Sequence, residues 1–224
     1  MKRARLSGIK VRRMSIDDLP EPIKQRILGK VTRDFKRRHN EVYLTELLYC
    51  LRKAYFSRKI GKKITLQHAW YLYRGTLFDE EWTPLFERRQ IRCTHRVPDS
   101  PVVVVARADF IDDDGAIADL KTYASLRYLK GPKAEHVKQV LFYSWTNAID
   151  KIRLYYVDFK DCKKFDETNS PLMKVTDTAQ RELVKEIEGR AKILYYGLES
   201  DTPPSKEESW ICKSCEYKEE CEAA

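Results

Sequence analysis

An acidic β-hairpin limits the folds open to this chain more than any other segment. The apolar run Val102-Val103-Val104-Val105-Ala106-Arg107-Ala108-Asp109-Phe110-Ile111 leads into Asp112-Asp113-Asp114-Gly115, and Ala116-Ile117-Ala118-Asp119-Leu120-Lys121 returns. Side chains alternate along a strand, so Asp119 and Lys121 share a face. Whether Asp109 joins them depends on the turn. A three-residue loop, Asp113-Asp114-Gly115 with Gly115 left-handed in a bulge, sets Asp109 opposite Asp119. A two-residue Asp114-Gly115 turn pairs Asp109 with Leu120 instead and disperses the group. In the first register two carboxylates and one ammonium converge, an arrangement suited to a hard divalent cation and a phosphate.

Other elements follow from periodicity and caps. Ser15 and Asp18 have the spacing of a capping box and predict a helix ending near Gly29. Thr45 is expected to cap a helix from Glu46 to about Lys59, with Leu47, Leu48, Leu51, Ala54 and Tyr55 on its apolar face. A third helix is expected from Leu66 past Trp82, kinked near Pro84. Strands are expected near Gln90–Val97, Val102–Ile111, Ala116–Thr122 and Ile152–Phe159. Helices are expected over 133–148 and from Thr176 or Asp177 to Gly197, and Pro203-Pro204 breaks the chain before a cysteine-rich tail. This order predicts an α/β or α+β layer structure, a mixed sheet flanked by helices.

Charge narrows the partners. Residues 1–40 carry thirteen Lys and Arg against four acids, which accounts for the whole net charge of +9. A solvated basic surface and a polyanion-binding surface both fit that asymmetry. Among polyanions, nucleic acid stands ahead of a membrane because no basic segment has a strong apolar face. No run reaches the length of a membrane span and no signal-like stretch opens the chain, so a soluble cytoplasmic protein is expected. In that compartment six cysteines read as ligands or buried thiols rather than disulfides. Cys212, Cys215 and Cys221 cluster at the end. With Cys50 they supply four thiolates, the number for an iron–sulfur cluster or a structural zinc. Only one C-x-x-C pair is present, so iron–sulfur ligation is expected ahead of zinc, with a metal-free tail third. Cys93 and Cys162 stand alone and read as buried thiols.

Phosphodiester hydrolysis needs charge neutralised on the phosphoryl oxygens and an activated water. Asp109 and Asp119, with the Leu120 carbonyl as a further oxygen, suit Mg²⁺ or Mn²⁺, and Lys121 is placed to orient or deprotonate the water. Gln139 and Tyr143 lie one helical turn apart, where they can contact a phosphate or a base. Tyr143 fits an apolar helix face equally well. Asp79 is a further candidate metal ligand and Arg74 a candidate phosphate contact. Both belong to a stretch around Gly75, a helical glycine of the kind that marks close packing. A solvated acidic face formed by Asp79, Glu80 and Glu81 is the plainer alternative.

Taken together, Asp109, Asp119-Leu120-Lys121 and Gln139-x3-Tyr143 resemble the RecB-like branch of the PD-(D/E)xK nucleases. With Cys50, Cys212, Cys215 and Cys221 added, the chain resembles the CRISPR-associated Cas-four exonucleases within that branch. The resemblance implies metal-dependent cleavage of single-stranded DNA, a [4Fe-4S] or [2Fe-2S] cluster on the four cysteines, and spacer acquisition beside CRISPR integrase proteins. A stand-alone RecB-like repair nuclease and a non-catalytic metal-cluster DNA-binding module are the rival readings. The implied organisation is a basic helical region over 1–89 carrying Cys50 and Asp79, a nuclease core over 90–200, and a tail over 201–224 completing the cluster. One position departs from the family pattern: four residues after Gly75 the family has histidine, and this chain has Asp79.

Overall fold

A strand has two edges, yet the central strand here takes three partners. In the computed structural model, which describes residues 15–31, 38–127, 129–158 and 172–224, β2 (Arg89–Arg96) runs antiparallel along β3 (Val103–Ile111), from Arg96↔Val103 to Arg89↔Phe110. The other edge of β3 is divided. Its first residues pair in parallel with β1 (Glu41–Tyr43), and its last two pair with β4 (Ile117–Tyr123). Residues 106–109 are left without a strand partner on that edge. Beyond β4 lie β5 (Lys151–Asp158), parallel to it, and β6 (Leu172–Lys174), antiparallel to β5.

The three-residue turn forms. Phe110 pairs with Ala118 and Ile111 with Ile117, the register that sets Asp109 across from Asp119. Gly115 has φ +74° and donates its N–H to the Asp112 carbonyl at 2.9 Å. The lock on this turn is Asp112. Its Oδ1 accepts from the backbone of Asp114 (3.0 Å) and Ala116 (2.9 Å). Its Oδ2 accepts from Arg153 Nη1 (2.7 Å) and the Tyr155 hydroxyl (2.9 Å) on β5.

The helices follow the pattern with three exceptions. The Ser15–Asp18 capping box is present but opens only a 3-10 turn, Ile16–Asp18. Pro20 forces Leu19 to extended backbone (ψ 144°), and α1 (Glu21–Val31) starts after it. The helix expected over 46–59 is two helices, α2 (Leu44–Leu48) and α3 (Leu51–Lys59), separated by an extended Tyr49. Its cap lies at Tyr43, whose N–H bonds Glu46 Oε2 at 2.8 Å, and not at Thr45. The break is held by Arg190, which donates to the carbonyls of Leu47 (2.6 Å) and Tyr49 (2.5 Å). Pro84 falls in a separate 3-10 turn after α4 (Leu66–Trp82) and does not kink it.

The remaining helices are α5 (Ala134–Asn147), which packs across β2–β5, α6 (Asp177–Glu199), which packs on α3 and α5, and the short α7 (Lys218–Ala223). β1 and β6 are absent from the expected set because three residues carry no readable period. The first dozen residues and Cys162 lie outside the described residues.

One core joins all three sequence segments. Val42, Leu47, Leu51 and Tyr55 meet Val104, Ile117 and Leu154 of the sheet, Phe142 of α5, Ile187 and Leu194 of α6, and Tyr217 of the tail. Polar contacts fix the tail on α3. The buried Arg52 donates to the Pro204 (3.2 Å) and Cys221 (3.1 Å) carbonyls, and the Tyr217 hydroxyl bonds the backbone of Gly61 and Lys63.

Because Asp112 is 7% exposed and every acceptor site on it is used, Asp112→Ala should destabilise the protein by about 3 kcal/mol or more. Denaturant unfolding measures this; a change below about 1 kcal/mol would mean that the turn holds without its carboxylate.

Candidate active site

The unpaired stretch of β3 opens into a cleft of about 750 Å³. Val105, Ala106, Arg107 and Asp109 line it, together with Asp119, Leu120 and Lys121 of β4. From the helices come Thr45 of α2, Gly75 and Asp79 of α4, and Gln139 and Tyr143 of α5. The hairpin ladder stops one residue short of the acids. In its place Asp109 Oδ2 accepts the Leu120 N–H at 2.7 Å. A carboxylate thus substitutes for a strand partner, which keeps Asp109 at the cleft floor.

Asp119 is 2% exposed. Its Oδ1 accepts from the Tyr143 hydroxyl at 3.4 Å, and its Oδ2 forms an ion pair with Lys121. Burial, and then the Asp119 charge, push the Asp109 carboxyl up to about 8 against the smaller opposing pull of the Leu120 N–H and Lys121. Burial pulls the Lys121 ammonium down, but the Asp119 charge and hydrogen bond, with Asp109, outweigh it and hold Lys121 above the ordinary lysine value. The lysine is therefore cationic, a donor rather than a base. Burial and the two aspartates also hold the Tyr143 hydroxyl protonated, well above its usual range.

A buried Asp119 that pushes up the half-buried Asp109 carboxyl beside it marks a site short of positive charge. A divalent cation relieves that repulsion. Two carboxylates with further oxygen ligands fit Mg²⁺ or Mn²⁺, which retain several waters.

The other expected site residues divide. Gln139 and Tyr143 reach the cleft and bond each other, Gln139 Nε2 donating to the Tyr143 hydroxyl. Tyr143 is 1% exposed, so no base can stack on it; it orients Asp119. Asp79 lines the cleft, but its carboxylate accepts from Thr83 Oγ1 (2.5 Å) and Gln90 Nε2 (3.1 Å). Among the described residues no three His, Cys, Asp or Glu side chains form a ready metal site, Asp79 with the two hairpin aspartates included. Gly75, rather than Arg74, lines the cleft; the Arg74 guanidinium lies over the rings of Trp70 and Tyr71. A Cβ on Gly75 would meet Thr122 Oγ1 at an ordinary 3.5 Å, so tight packing does not require this glycine.

Gln90 escaped the sequence reading. It sits between the Arg89↔Phe110 and Ile91↔Ala108 pairs, facing Asp109. Its φ of +50° interrupts the strand and turns its amide to Asp79. Arg38, Arg92 and Arg107 also line the cleft, and Arg92 pairs with Glu41 at 3.1 Å. Nothing in the local sequence distinguishes these arginines from other surface cations.

Cys50, Cys212, Cys215 and Cys221 line a second cavity, of about 60 Å³, between α3 and the tail. Cys212 Sγ accepts from the Ser209 N–H at 3.4 Å. Among the described residues no group of three or more His, Cys, Asp or Glu side chains forms a ready metal site, these four cysteines included.

Residues 17–222 match the PD-(D/E)XK nuclease superfamily. The chain belongs to that superfamily. A comparison with curated proteins gives no match. In three dimensions this PD-(D/E)XK protein is similar to the crystal structure of a protein designated SSO0001, at 17% identity over 91% of this chain and 95% of that one, with a TM-score of 0.63. At that identity the likeness carries the fold alone. Among the described residues, no helix of this PD-(D/E)XK chain is long and apolar enough to cross a membrane.

A carboxyl raised by folding adds stability at low pH and loses it as pH climbs from the ordinary carboxyl range through about 8. Without divalent cation, Asp109→Asn should therefore be more stable than the parent, with a gap widening by about 1–2 kcal/mol from pH 6 to pH 8. Thermal melts in a chelator at both pH values measure it, and a constant gap would contradict the crowding of Asp109 by Asp119.

Proposed function

We propose that this PD-(D/E)XK nuclease is an Mg²⁺- or Mn²⁺-dependent deoxyribonuclease that degrades single-stranded DNA from its ends. The observation that carries the proposal is the enforced proximity of Asp109 and Asp119 beside a protonated Lys121 in an open cleft. A divalent cation held by the two carboxylates would neutralise the scissile phosphate and make a water acidic enough to attack near neutral pH. Asp109 is kept in place by the Leu120 N–H, and Asp119 by Tyr143 and Lys121. The Lys121 ammonium donates to a phosphoryl oxygen or to the attacking water. Gln139 sets the Tyr143 hydroxyl and so acts through Asp119. Arg107, exposed on the cleft wall, offers a phosphate contact, and binding through such contacts weakens as salt rises.

We also propose that Cys50, Cys212, Cys215 and Cys221 hold an iron–sulfur cluster. Their shared cavity and the single C-x-x-C pair of Cys212 and Cys215 support it. The cluster would brace a junction that Arg52 and Tyr217 already fasten, a structural rather than catalytic part. The CRISPR spacer-acquisition role, with integrase partners, is proposed from the sequence resemblance. Neighbouring genes test it.

Asp119→Ala should reduce cleavage of end-labelled single-stranded DNA to background, and so should omission of divalent cation from the parent. Cleavage that survives both would sink the site assignment. Protein purified without oxygen should be brown and contain iron, and a Cys215→Ala variant should lose that visible absorbance. A colourless protein containing zinc would overturn the cluster proposal.

A further inference from the structure

Basic side chains gather on the sheet floor at the end of the cleft nearest β1. Arg92 of β2 lies directly opposite Arg107 of β3 in the antiparallel ladder, so both side chains project from one face. Asp109 shares that face with Arg107, two residues further along the strand, a step of about 6.6 Å. Arg38, just before β1, lines the same cleft, as do Arg92 and Arg107. Like charges set directly across a ladder repel, so this pair is held at a cost in stability.

One carboxylate answers these three cations. Glu41 of β1 is 9% exposed and both its oxygens are taken, Oε1 by Arg92 Nη2 and Oε2 by the Arg38 backbone N–H, each at 3.1 Å. Its backbone carbonyl accepts from Arg58 at 3.1 Å, which holds the segment. Glu41 thus anchors Arg92, whose side chain still remains 68% exposed. Among the described residues no carboxylate pairs with the guanidinium of Arg38 or Arg107. This end of the cleft therefore carries a surplus of two positive charges. Each guanidinium presents a planar fork that matches phosphate oxygens. An internal phosphodiester brings a single negative charge. A terminal phosphomonoester brings nearly two at neutral pH, with three acceptor oxygens, and so matches both the surplus and the facing forks.

We infer that Arg92 and Arg107, with Arg38, form a subsite for the terminal phosphomonoester of a nucleic-acid strand, one step along β3 from the paired carboxylates. The inference rests on the nuclease reading for what those carboxylates do. It deepens that reading by giving attack at strand ends a structural source: only an end carries a monoester. The chemistry recognised is the phosphate group itself, and the arms of the test separate a 5′ from a 3′ source.

The test uses the full chain in a chelator, with the strand checked for integrity on a denaturing gel. Fluorescence anisotropy compares one internally labelled single-stranded DNA sequence with four kinds of end: hydroxyls only, a 5′-phosphate, a 3′-phosphate, and each phosphate capped as its methyl diester. A phosphate at one of the two ends should tighten binding by about tenfold. The methyl cap keeps the group in place and removes one charge, and should return affinity to within about twofold of the hydroxyl-ended strand. Arg107→Ala, at an exposed position, should erase the gain and change hydroxyl-ended binding less than about threefold. Arg107→Lys and Arg92→Lys keep the charge and lose the fork, and each should retain only part of the gain. Equal affinity for all ends, an undiminished gain with the methyl cap, or equal losses for phosphate- and hydroxyl-ended strands in Arg107→Ala would overturn the subsite. Cleavage by the parent with Mg²⁺ or Mn²⁺ is scored separately. Phosphate preference without cleavage refutes the nuclease reading and leaves the subsite standing; cleavage without preference does the reverse.

Discussion

Two carboxylates held together out of water repel, and the arrangement of this molecule follows from how that repulsion is contained. Asp109 and Asp119 face each other across the end of a hairpin, with Asp109 raised to about 8 by burial and by its neighbour. Each has a dedicated counterweight. A backbone N–H serves Asp109; a lysine and a buried tyrosine serve Asp119. None of these removes the conflict, which a divalent cation would. Folding energy from the large surrounding core holds the pair in place, so the site is a local weakness sustained by the rest of the fold.

The space for that site comes from topology. β3 gives one whole edge to β2 and divides the other between β1 and β4. The gap between those two partners is the cleft, and residues 106–109 on its floor have no strand beside them on that edge. Gln90 marks the same spot from the opposite side. Its left-handed backbone breaks the β2–β3 ladder facing Asp109 and sends an amide to Asp79. Irregular backbone on both flanks of one aspartate is characteristic of a place where geometry serves chemistry more than stability.

The cysteine cavity and the cleft share a hinge point in sequence. Cys50 lines the one, and Thr45, on the helix just before it, lines the other. Arg190 bridges the two regions, holding the carbonyls of Leu47 and Tyr49 while pairing with Glu207, which also lines the cysteine cavity. Whatever fills that cavity therefore bears on the break between α2 and α3.

How far the sequence reached can be followed residue by residue. Strand alternation put Asp119 and Lys121 on one face because that rule is local, but it left Asp109 to either of two turns, and the structure chose the three-residue one that sets it across from Asp119. Cys212, Cys215 and Cys221 were likewise legible as a group, since clustering needs no coordinates, whereas only the fold puts the distant Cys50 on their cavity. Asp112 was read only as a turn residue, and its grip on β5 emerged from pairing with Arg153 forty-one residues away. Tertiary structure alone decided the break at Tyr49, made by an arginine far along the chain, and the burial of Tyr143, which turned an expected base contact into a brace for Asp119. It also decided the divided edge of β3. Local rules specify which way a side chain points along its own strand; which other strand lies beside it, and where a gap is left, depends on contacts that form only when distant segments pack.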